Sequence, residues 1–124
     1  MYFPISVALL VALAVVAPAL AHTDAPAPAQ DPPLTALFDC HFGYAQQHFR
    51  SSASATEIAT AAASHCEPAL QAAGLDTYQR ALAAGLPAES AEQSRLRMLA
   101  ELRDMLPGFT LDKVIQFRAG DSGH

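Results

Sequence analysis

The chain has 124 residues, room for one domain, and its charge is acidic: twelve carboxylates against seven Lys and Arg, a formal net of -5. The bases are scattered, and only Arg95 and Arg97 lie close together, with acids around them. That pattern excludes a basic stripe for nucleic acid and a polybasic patch for anionic lipid.

Met1 to Ala21 carries no charged side chain. Ile5 to Val16 is an almost unbroken apolar run, followed by Pro18 and then Ala19-Leu20-Ala21, a small-x-small cleavage pattern. The run falls short of the roughly 20 residues that a membrane span needs. Residues 1–21 are therefore expected to be an export signal, and the mature product is expected to be secreted or periplasmic, with no membrane association once the signal is removed. The segment 22–33 (HTDAPAPAQDPP) has no apolar periodicity and reads as an extended Pro/Ala-rich tether.

A helical domain is expected over 34–118. The first helix runs from Leu34 to Arg50, with Leu37, Phe38, His41, Tyr44, Ala45, His48 and Phe49 on one face. Ser51 to Ser54 breaks it. Ser54 and Glu57 have capping-box spacing and open a second helix that extends to about Ala73. Pro68 must kink or split that helix, and Gly74 is placed to stop it. A third helix follows from a cap at Asp76 to Gly85.

The fourth helix starts at Pro87, with Glu89 and Glu92 favouring the positive end of its dipole. Ala91, Leu96, Leu99, Leu102 and Leu106 form its stripe, with Met98 and Met105 along the edge. A stripe at this spacing reads as core before it reads as a docking face. Pro107-Gly108 is expected to end the helix, leaving Thr110 to Arg118 as a short fifth helix that could instead be a strand. Residues 119–124 are expected to be a flexible tail. The fold class is thus all-α, a small bundle of four to five helices.

The chain has two cysteines, Cys40 and Cys66. In an exported small protein they are expected to pair. Helices joined by a tight turn bring together positions symmetric about that turn, and the midpoint of Cys40 and Cys66 falls inside the Ser51–Ser54 break. The coincidence predicts that helices one and two form a disulfide-stapled antiparallel hairpin. In the chain-entropy view such a loop contributes roughly 3–4 kcal/mol.

The same register brings His41 towards His65 beside the two cysteines. As residue types this is a Cys2His2 set, suited to zinc or copper. Neighbouring helical residues point about 100° apart, however, and disulfide sulfurs are not thiolate ligands. His41 and His65 therefore stand as candidate metal ligands only, with no metal or other cofactor expected and no catalytic residue identified. Gly120-Asp-Ser-Gly123 repeats the residues around the nucleophile of chymotrypsin-like proteases, but a helical chain has no double barrel to complete that site. The function expected is a non-enzymatic binding or interaction module of the cell envelope, with an envelope or secreted protein as partner. The alternative is a metal-binding or redox protein using His41, His65 and the Cys40/Cys66 pair.

Overall fold

The structure is a computed structural model and describes residues 31–122; the expected signal, most of the tether and the last two residues lie outside the described residues. The described chain is all-helical, with four helices: α1 Pro32–His48, α2 Ala55–His65, α3 Glu67–Ala83 and α4 Ala88–Asp121. Among the described residues no helix is long and apolar enough to cross a membrane.

Helix α1 starts two residues earlier than the sequence suggests. Asp31 caps it, accepting from the Leu34 N–H at 3.2 Å. Pro32 and Pro33 then occupy the first turn, where an N–H has no helical acceptor and a fixed φ is an advantage. The tether thus ends at Asp31, whose carboxylate also pairs with Arg80 of α3.

The capping box at the start of α2 forms as expected. Glu57 N–H donates to Ser54 Oγ at 3.1 Å, and Ser54 N–H donates to Glu57 Oε2 at 2.7 Å. Pro68 splits the second helix rather than kinking it. Cys66 is both the last cap of α2 and the first of α3, and Pro68 takes the first turn of the new helix. Cys40 and Cys66 are disulfide-bonded with Cα atoms 5.9 Å apart, joining α1 to the α2–α3 junction.

Two glycines have different roles. Gly74 does not stop a helix, because α3 continues through it and through Asp76. A Cβ at Gly74 would stand 2.9 Å from Leu99 Cδ2, so its missing side chain is what lets α3 lie close against α4. Gly85 does end the helix, at φ +87°. Its N–H donates to Leu82 O and the Leu86 N–H to Ala81 O, the paired bonds of a Schellman stop.

Pro107 lies inside α4 and does not end it. The fourth and fifth helices of the sequence reading are one helix of 34 residues, about 50 Å long at ~1.5 Å per residue. Tertiary packing overrides the local cost of proline. Leu99, Leu102 and Leu106 before it and Thr110 and Val114 after it all bury on one stripe, while Pro107 and Gly108 face solvent. Leu96, expected in that stripe, is exposed.

The core has two parts. One gathers Leu37, Cys66, Leu70, Ala73, Leu99, Leu102 and Leu106. The other gathers Ala45, Ile58 and Val114, flanked by Tyr44, Phe49 and Phe117. Arg118 ties the far end of α4 to the α1–α2 turn, donating from Nε to Phe49 O at 2.7 Å and from Nη2 to Ala53 O at 2.6 Å.

Candidate functional site

Two buried polar side chains sit one helical turn from each part of the core. His41 lies between Leu37 and Ala45 on α1 and is 2% exposed; Thr110 lies between Leu106 and Val114 on α4 and is fully buried. His41 Nδ1 and Thr110 Oγ1 are 2.9 Å apart, and Thr110 Oγ1 is 3.1 Å from Leu106 O. A hydroxyl has one proton, and a carbonyl has none. Both bonds are made together only if Thr110 donates to Leu106 O and accepts from a proton on His41 Nδ1. Their coexistence assigns the imidazole to its Nδ1–H tautomer and leaves the Nε2 lone pair free.

Burial pushes the His41 imidazole below its ordinary value of 6.5, so the ring is neutral at pH 7. Among the described residues no buried side-chain nitrogen or oxygen lacks a partner. The hydrogen bond that His41 makes there is through Nδ1, so Nε2 is not sealed into the core. It belongs to a side chain lining a cavity of about 50 Å³ between α1, the α2–α3 junction and α4. Glu67 and Arg103 stand on the cavity wall, paired at 2.7 Å across α3 and α4. Hydrogen bonds from Gln71 and then Arg103 hold the Glu67 carboxyl below the usual range, so it is ionised at neutral pH.

The two candidate histidines have separate surroundings. His41 faces Thr110 inside the bundle, whereas His65 is exposed with its ring 5.2 Å from that of Tyr44. His48 packs beside the same tyrosine at 4.2 Å. Among the described residues no three His, Cys, Asp or Glu side chains come together as a metal-binding group. The cysteines are held in their disulfide, with Cys66 1% exposed.

A second concavity lies between α3 and the first turns of α4. Leu75 and Tyr78 of α3 and Ala88, Glu92 and Arg95 of α4 line an open groove of about 410 Å³. The charges on its wall satisfy each other, Arg95 Nε donating to Glu92 at 2.8 Å. Leu75, Leu82 and Leu86, on α3 and the turn after it, are 52%, 40% and 46% exposed. The sequence reading missed this surface. Leucines spaced seven apart on α3, at 75 and 82, were the available signal, hidden by the mistaken stop at Gly74. The Leu102 and Leu106 stripe of α4 is core, and Met105 beside it is exposed.

Compared with known protein families, with curated proteins and with solved structures, the chain has no match.

Proposed function

We propose that this chain is an exported, non-enzymatic binding module whose α3–α4 end receives the apolar face of a helix from a partner protein of the cell envelope. The observation that carries the reading is the open groove lined by Leu75 and Tyr78, on a helix that exposes Leu75 and, seven residues on, Leu82, with Leu86 exposed in the turn that follows, each to 40% or more. Large apolar side chains grouped beside a concavity are what a protein interface core requires. The occupant is apolar because Glu92 and Arg95 neutralise each other and leave no unpaired charge in the groove to recruit a charged ligand. A helix suits the site because i, i+3 and i+7 side chains match a furrow between two helices. Export is supported by the composition of Met1–Ala21 and by the Cys40–Cys66 disulfide, a bond that persists in oxidising compartments.

A photo-crosslinking residue placed at Tyr78, in the chain expressed in its producing cell, tests this. The expected result is one defined adduct with a different protein, lost in Leu75→Asp/Leu82→Asp and absent when the crosslinker is at exposed Gln116. Those two leucines are surface residues, so the double variant keeps its melting temperature. An adduct only with a second copy of this chain, or the same adducts from Gln116 as from Tyr78, would overturn the reading.

A further inference from the structure

We propose that the cavity bounded by His41, Glu67 and Pro107 is a binding site for the ammonium group of a small primary amine. The inference is independent of the α3–α4 groove. Its first support is the direction of the hydrogen bonds. His41 is 2% exposed, and the proton on its Nδ1 is committed to Thr110, so Nε2 offers a lone pair and no proton. Gln71 and Arg103 both donate to Oε1 of Glu67, which leaves Oε2 available as an acceptor.

An imidazole lone pair and a carboxylate oxygen are both acceptors, so the two side chains call for a ligand that donates, and an ammonium group brings three donors and the charge that complements Glu67. Anions are disfavoured by the same set.

Size and charge narrow the class further. The cavity measures about 50 Å³, and a water molecule needs about 10–15 Å³ by the same measure. That admits an ammonium head with one or two carbons. A transition-metal ion would need a further protein ligand, and no group of three metal-ligating side chains forms among the described residues. Arg103 does not repel the cation as a free charge would, because Glu67 neutralises it, and at 51% exposure its head can turn to water as the ligand engages the carboxylate.

The test is a titration of the isotopically labelled protein with methylamine hydrochloride, reading the side-chain 15N resonance of His41, with sodium acetate as the matched salt. The expected result is a saturable shift of Nε2 with methylamine and none with acetate. Losing the charge in Glu67→Gln should weaken binding by about tenfold or more, since a charge-assisted hydrogen bond becomes a neutral one. A His41 variant risks the fold, so Ala63→Leu serves as the second variant. It keeps a good helix former on α2 and fills the cavity wall, and it should abolish the shift with the melting temperature retained. No saturable shift with methylamine, an equal shift with acetate, or undiminished affinity in Glu67→Gln would overturn the proposal.

Discussion

The two helix pairs of this molecule are closed by different means. The α1–α2 hairpin is held by specific bonds: the Cys40–Cys66 disulfide, the Ser54–Glu57 capping box and the Arg118 clamp on the turn carbonyls. The α3–α4 pair carries the half-exposed Glu67–Arg103 ion pair, which contributes little in water, and is held mainly by shape: a glycine that lets the helices touch, a Schellman stop at Gly85 and a stripe of buried leucines. The bonded pair packs the partly buried Phe49 and Tyr44 against the core around Val114 and leaves Phe42 38% exposed. The shape-closed pair leaves Leu75, Leu82 and Leu86 in water. The end that needs no covalent help is thus the end with apolar surface to offer a partner.

The largest loss of stability is expected at the staple. Cys40→Ser/Cys66→Ser opens a loop spanning 26 positions and should cost about 3–4 kcal/mol in urea unfolding. A loss under about 1 kcal/mol would mean that packing alone closes α1 on α2. Next comes the polar seat between the two parts of the core. Thr110→Val keeps the side-chain shape but leaves the His41 Nδ1 proton without an acceptor, which should cost about 1–3 kcal/mol.

A smaller effect sharpens the shape-closed side. Gly74→Ala gains up to about 1 kcal/mol in helix propensity. It also forces the buried Leu99 away from a Cβ only 2.9 Å from its Cδ2, and overpacking costs about 1–3 kcal/mol. The net expectation is destabilisation of about 1 kcal/mol, and a more stable variant would show that the approach of α3 to α4 is not tight.

The gentlest effect is on pH. The folded His41 titrates below the ordinary 6.5 because burial disfavours its charged form. Between the lowered folded value and 6.5 the unfolded chain binds the extra proton, so stability is complete above about pH 6.5 and declines as the pH falls through that window. Urea midpoints measured on either side of it should show the decline, and Thr110→Val, which does not remove the imidazole, should retain it.

What could be read from the residues divides along the same line. The hairpin was legible because its signals are local and chemical: two cysteines symmetric about a serine break, and Ser54 three residues before Glu57. The α3–α4 half was misread where propensity and packing disagree. Pro107 and Gly74 each predict the end of a helix where the folded chain continues. For Pro107, the spacing Leu102, Leu106, Thr110, Val114 continues one face across the proline, and that continuity outweighs the missing N–H. For Gly74, nothing near it in sequence announces that Leu99 lies against its Cα. The site divides similarly. His41 was identified as a residue of interest, but its partner was sought at His65 across the hairpin. Thr110 lies 69 residues away on a segment read as a separate element. The Arg118 clamp spans 69 residues to Phe49 and has no sequence signature.

His41 joins the disulfide-stapled helix to α4 and lines the cavity, and its protonation state decides what both can do. A long-range 1H–15N spectrum of the imidazole side chains at pH 7 tests it directly. A neutral ring with the proton on Nδ1 and an unprotonated Nε2, reverting to a mixture of tautomers in Thr110→Val, is the predicted result. A ring protonated on Nε2, or on both nitrogens, would contradict it.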